Sequence, residues 1–237
     1  MDIPTSLAIV AFAALLHASF QLSVSVLTLL SSHSIGSKRP LKNLLSLTTS
    51  FVIGAAVMTL LLLSFVALVV ISVYETEVPL VVWAVACGLL SGVGIAVWIF
   101  YYRREQGTSL WLPRGTARFL SDRTKATTHP AEAFSLGLTS VIAELLFIIA
   151  PLLVSALVLV ELPALWQLIG IAVYTVIASL SLIIVWVLIG SGHALSGIQK
   201  WRESNKRFLQ FAAGSGLLIL GIFVYVSKVL STAVGGM

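Results

Sequence analysis

The segment Thr139–Pro151, TSVIAELLFIIAP, holds a single carboxylate in the middle of aliphatic side chains. It belongs to a longer apolar run, from Ala133 to Val160. Crossing about 30 Å of hydrocarbon takes roughly 20 helical residues, so the run is long enough to span a bilayer. Glu144 lies about 16 Å along it at 1.5 Å per residue, close to the centre of the membrane. An ionised carboxylate there costs about 3 kcal/mol or more, so Glu144 must face the inside of a helical bundle, be protonated, or be paired.

Working outward, five further runs have the same character: Thr5–Leu30, Leu45–Val73, Pro79–Tyr102, Pro163–Gly190 and Phe208–Leu230. None alternates apolar with polar residues, which excludes the strands of a membrane barrel. The 237 residues are 59% apolar and 10% charged, with a mean hydropathy of +1.07, well outside the range of soluble domains. The expected fold is an all-α integral membrane protein with six transmembrane helices. The opening MDIPTSLAIVAFAALLHASF starts with Asp2 and stays apolar beyond the length of a signal-peptide core, so it is expected to be a retained span. Cys87 is the only cysteine, which leaves no partner for an intrachain disulfide.

Charge sets the expected orientation. Lys38, Arg39 and Lys42 follow the first run; Arg103, Arg104, Arg114, Arg118, Arg123 and Lys125 follow the third; Lys200, Arg202, Lys206 and Arg207 precede the sixth. All three connections fall on one side of a six-span bundle, and the positive-inside rule makes that side cytoplasmic. Both termini are then outside, as are the acidic connections YETEVP and VELP. The net charge of +5 follows from this topology and from contact with anionic headgroups, so no nucleic-acid partner is expected. The location expected is a prokaryotic plasma membrane.

Three spans, a long basic break and three more spans describe a duplicated unit whose copies face opposite ways. The expected organisation is a first three-helix repeat over 1–105, a cytoplasmic basic linker over 106–132 and a second, inverted repeat over 133–237. GIAVWIFYYR from Gly94 and GIFVYVSK from Gly221 share Gly-Ile-x-Val, an aromatic and a terminal base. Laying Leu7 over Phe134 places His17 on Glu144, and in inverted repeats such positions approach each other near the midplane. His17 and Glu144 are therefore the candidate proton-exchanging pair. The stripes His17, Gln21, Ser25, Thr28, Ser31 and Gly137, Ser140, Glu144, Pro151, Ser155 recur at helical spacing. From them Gln21, Ser25, Ser140 and Pro151 are the candidate lining of a solute path, and Pro151 is expected to bend or open the fourth span just beyond Glu144. A hydrogen-bonded structural pair is the alternative reading of His17 and Glu144. Tyr174, Ser179 and Ser181 are polar positions of the fifth span whose face is not set by spacing, and Gly88–Gly92, GLLSG, is a small-xxx-small pattern expected to serve close helix packing.

No nucleophile elbow, phosphate loop, zinc signature or carboxylate pair is present, so neither an enzyme nor a cofactor is expected. One Glu and one His are too few strong ligands for a metal site.

AFSLGLTSVIAELLFIIAP (133–151) and NKRFLQFAAGSGLLILGIFVYV (205–226), within this span pattern, resemble the lysine-exporter superfamily and the related transmembrane thiol carriers of cytochrome c biogenesis. The resemblance implies two inverted three-span repeats and a transport role. The thiol carriers hold a reactive cysteine in the first span of each repeat, whereas His17 and Glu144 stand in the matching places, so that redox chemistry is expected to be absent. The exporters' Pro-Gly motif is also missing from LLHASFQLS (15–23). The expectation is a small secondary transporter, a proton-coupled exporter of a small polar or cationic solute. The alternative is a membrane scaffold or assembly subunit on the same fold. The partners expected are the lipid bilayer and a small solute or ion, with a homo-oligomer or a partner protein in the membrane left open.

Overall fold

The computed structural model describes residues 1–20, 23–36, 40–75, 77–101, 114–191, 201 and 204–232. These residues form helices and short connections, with no strand among them. In chain order the helices are α1 (Ile3–Ser19), α2 (Ser23–Gly36), α3 (Leu41–Tyr74), α4 (Leu80–Tyr101), α5 (Arg114–Ala126), α6 (Pro130–Ala143), α7 (Leu145–Val160), α8 (Ala164–Ala178), α9 (Leu180–Gly190) and α10 (Lys206–Val224). A π-helical turn, Tyr225–Leu230, continues α10.

Three elements are each long and apolar enough to cross a membrane: Lys42–Tyr74, Leu80–Ile99 and Arg207–Leu230. Three pairs do so only when taken together: α1 with α2, α6 with α7 and α8 with α9, bent by 46°, 79° and 50°. The apolar segments thus number three, or six when each bent pair counts as one span. The surface agrees with a hydrocarbon surrounding. Val81, Leu168, Phe208, Leu146 and Leu165 point outward, whereas His17, Ser23, Ser140 and Glu144 are buried. In water the opposite arrangement is favoured.

The helix boundaries have local causes. Pro40 and Pro163 precede α3 and α8, where a missing N–H loses nothing. At the start of α6, Glu132 reaches back to accept from the backbone N–H groups of Thr128 (2.8 Å) and His129 (3.1 Å), satisfying donors that the helix leaves open. Glu75, with φ 55°, ends α3 and starts the return into α4. α7 is apolar on every face and is buried along nearly its whole length, which makes it the central helix of the bundle.

Close crossings depend on glycine. α3 meets α6 where Gly54 and Gly137 face each other's backbone; a Cβ on Gly54 would lie 2.2 Å from the Phe134 carbonyl oxygen, and one on Gly137 2.2 Å from that of Phe51. α4 packs along α10, with Gly94 2.9 Å (from an added Cβ) from the Gly214 carbonyl oxygen. The pattern Gly88–Gly92 plays no such part: both residues are exposed, and a Cβ at either would meet nothing within 4 Å. A helix turns about 100° per residue, so Gly94 lies well round from Gly92, on the face that meets α10.

The basic connection between the two halves contains α5, an amphipathic helix that buries Leu120 and leaves Phe119 exposed beneath the Arg123 guanidinium, 5.7 Å from the ring centre. It packs against α2 and α6. At the other end of the bundle Lys228, from the π turn, forms an ion pair with Glu161 and lies 5.1 Å from the centre of the Trp83 ring.

Candidate functional site

The bend between α6 and α7 falls on Glu144 itself. Its amide N–H closes the end of α6 on the Val141 carbonyl oxygen (3.1 Å), while its own carbonyl oxygen accepts from Phe147 (2.8 Å) and Ile148 (3.3 Å) to begin α7. With φ −85° and ψ −8° the residue ends one helix and starts the next. Pro151 was expected to open the span beyond Glu144. Instead α7 runs through Pro151 without a break, and the 79° bend lies seven residues earlier. Burial of α7 on all sides holds the helix together across the missing hydrogen bond, and Pro151 is part of its packed surface.

At this bend the Glu144 side chain leaves the helix sideways and meets the second broken span. Its Oε1 accepts from the backbone N–H of Ser23 (2.5 Å) and from the Ser23 hydroxyl (2.7 Å). Ser23 is the first residue of α2, so the carboxylate sits at a helix N-terminus, where the aligned peptide dipoles and open N–H groups favour negative charge. Ser140, one turn before Glu144 on α6, brings its Oγ 3.0 Å from Ser23 Oγ and also donates to the Gly137 carbonyl oxygen (2.8 Å). Ser23, Ser140 and Glu144 are each at least 99% buried.

His17 has a different partner. Its Nδ1 is 3.0 Å from the Tyr174 hydroxyl of α8, with the two rings tilted at 55°. The expected contact between His17 and Glu144 is thus replaced by two separate pairs, His17 with Tyr174 and Glu144 with Ser23. The cause is the bend after α1. An unbroken span would carry the His17 stripe on toward Ser25, whereas the new helix beginning at Ser23 turns its own first residue to the carboxylate. Ser25 lies about 200° round α2 from Ser23 and is half-buried, away from Glu144. Gln21 lies outside the described residues. Of the residues singled out in the sequence, Ser140 and Glu144 are brought together, Pro151 is in the core of α7, and His17 is at the neighbouring pair.

The broken end of α1 is also satisfied from the fifth span. The Ala18 carbonyl oxygen, one of the last of its helix, accepts from the Ser181 hydroxyl at 3.1 Å. α8 and α9 meet at Ser179, two residues before that contact. The interrupted first segment therefore has the end of its N-terminal half, α1, capped from α9 and the start of its C-terminal half, α2, capped by Glu144. Ser23 was not legible as a site residue because its role depends on the interruption. The one available signal, serine's preference for helix starts, is hidden when the span is read as continuous.

Among the described residues no three His, Cys, Asp or Glu side chains converge as a metal site would require. What the cluster offers is a buried acid held by at least the two donors of Ser23, with a second hydroxyl behind the first. When Ser23 donates to Glu144, Ser140 can turn its single hydroxyl proton from the Gly137 carbonyl oxygen to Ser23, which links the hydroxyls in a short chain ending on the carboxylate. Compared with family models, curated proteins and solved structures, the chain matches none of them.

Proposed function

We propose that this protein is a small secondary transporter that moves a small polar or cationic solute outward in exchange for protons. The observation that carries the reading is the buried Glu144 carboxylate, placed at one helix break and bound by the first residue of the helix after another. Discontinuous helices meeting near the midplane are the usual framework of a transport site, because their open ends supply charge-compensating groups without a side-chain counterion. A carboxylate held this way has an alternative to its protein donors: a bound proton or cation can take their place, and the Ser140–Ser23 chain is the short path to it.

In this reading the two halves are inverted repeats, as the resemblance to the lysine-exporter superfamily implies. A pseudo-twofold would exchange the contact of α3 with α6 for that of α1 with α8 and would map the contact of α4 with α10 onto itself; all three are principal contacts of the bundle. Gly94 and Gly221, which begin the two matching sequence segments, both lie between α4 and α10. The fifth span departs from such a relation, being bent at Ser179 where its counterpart α3 is a single helix. His17 and Tyr174 then belong to the surface along which one repeat rocks against the other.

Proteoliposomes test the reading. An imposed pH gradient, followed with an entrapped dye, should collapse on addition of a transported solute drawn from a panel of small amines, cations and polar compounds. Glu144→Gln should lose this solute-dependent proton movement while retaining its fold. Equal proton movement in wild type and variant overturns the role of Glu144. Absence of any solute response across the panel, with a protein that co-purifies in fixed ratio, favours the scaffold.

A further inference from the structure

α5 and α6 border a half-open cavity of about 300 Å3 at the basic end of the bundle, lined by Phe119, Arg123, Thr127, Glu132, Ser135 and Thr139 among others. It shares no residue with the Glu144 cluster. A cation and an anion face the same space, and no ion pair joins Arg123 to Glu132. Two opposite charges that share a cavity and attract each other only through space, without direct contact, are suited to a ligand that carries both signs.

The hydroxyls assign an end to each charge. Thr127 donates to the Arg123 carbonyl oxygen (2.7 Å), Ser135 to that of Ala131 (3.0 Å) and Thr139 to that of Ser135 (2.8 Å). The Ser135 and Thr139 protons are thereby used within α6, so toward the cavity these two hydroxyls present acceptor lone pairs. Along α6 they join Glu132, giving a wall of acceptors that fits a donor-bearing ammonium. Arg123 opposite is the donor for an anion, with a guanidinium shaped for phosphate oxygens.

Position selects the source of such a zwitterion. α5 is cationic and amphipathic, with Phe119 turned outward, as a helix lying at a membrane surface requires. Glu132 is in the first turn of α6, and Thr139 is about 10 Å further along the helix. The length of the cavity along α6 is therefore comparable with the depth of a headgroup layer. From this placement we propose that it is a binding site for the headgroup of a lipid of the phosphatidylethanolamine class, with the phosphate on Arg123 and the primary ammonium on Glu132, Ser135 and Thr139. The site is independent of the transport reading, and its occupancy bridges α5 to the first half of the bent α6–α7 span.

Native mass spectrometry of the delipidated full-length protein, titrated with defined lipids, tests this. Phosphatidylethanolamine should bind in preference to phosphatidylcholine, whose quaternary ammonium has no N–H to donate, and to phosphatidylglycerol, which has no cation. Glu132→Gln keeps an acceptor for the Thr128 and His129 amides, so the helix start survives, and it should weaken phosphatidylethanolamine about tenfold. Thr139→Val, remote from that cap, should weaken it less but in the same direction. Arg123→Gln should weaken phosphatidylethanolamine and phosphatidylglycerol alike. Equal affinity of the wild type for all three lipids, or variants without effect, overturns the site. Soluble glycerophosphoethanolamine binding as tightly as the lipid overturns the lipid assignment in favour of a free zwitterion.

Discussion

Glu144 serves two helix junctions: its backbone joins α6 to α7, and its side chain meets the start of α2. Its carboxylate takes up a backbone donor and a hydroxyl that are both buried at Ser23. Replacing it with Ala removes the acceptor of the Ser23 N–H, which is expected to cost about 1 to 3 kcal/mol, whereas the Ser23 hydroxyl can turn to Ser140 Oγ. Gln preserves an acceptor and should remain much nearer to wild type. The comparison separates fold from function: in detergent-solubilised protein, Glu144→Ala should melt clearly below wild type and Glu144→Gln close to it. Equal melting temperatures for the Ala variant and wild type would show that the carboxylate does not hold the start of α2. The composition of the cluster was half legible, since depth in an apolar run marked Glu144 and helical spacing marked Ser140. Ser23 and Tyr174 gained their partners from contacts between elements far apart in the chain.

Helices in this bundle approach one another through particular glycines, and the element pairs differ in how much room they leave. At the α3–α6 crossing a methyl group on Gly137 would collide with the Phe51 carbonyl oxygen, a backbone atom that has no rotamer to adopt. Gly137→Ala is therefore expected to destabilise by about 1 to 3 kcal/mol, as overpacking does elsewhere. Gly88→Ala, with open space at its Cβ, should be neutral or slightly stabilising because alanine is the better helix former. Thermal unfolding of both variants in one detergent checks this, and a Gly88→Ala protein as unstable as Gly137→Ala would mean that α4 is packed on its exposed side. Sequence spacing singled out Gly88 and Gly92 because the pattern is local. Which glycine contacts a neighbour depends on the rotation of each helix, and local spacing does not record it.

At the scale of the whole molecule, charge is segregated. Lys228, the one base among the described residues at the end of the bundle where α3 returns into α4, is neutralised by Glu161, while α5 at the other end is strongly basic. The positive-inside rule then predicts a cytoplasmic α5. In a Cys87→Ala background, Glu77→Cys should react with an impermeant maleimide added to intact cells, and Lys125→Cys only after permeabilisation. Both positions are exposed, so reactivity reports sidedness rather than burial. Reversed labelling would invert the orientation, and labelling of both from the same side would exclude an odd number of crossings between them.

The sequence by itself determined the class of solvent and the approximate extent of every apolar segment, because the cost of exposing charge to hydrocarbon and the length needed to cross it are properties of composition and of helix rise. It also marked one acid as buried. Only the tertiary structure decided where three of those segments break, which serine meets the carboxylate and which aromatic hydroxyl meets His17. A break becomes tolerable when groups on other helices take up the freed N–H and carbonyl positions. Here those groups are the Glu144 side chain and the Ser181 hydroxyl, which lie more than a hundred residues from the ends they satisfy.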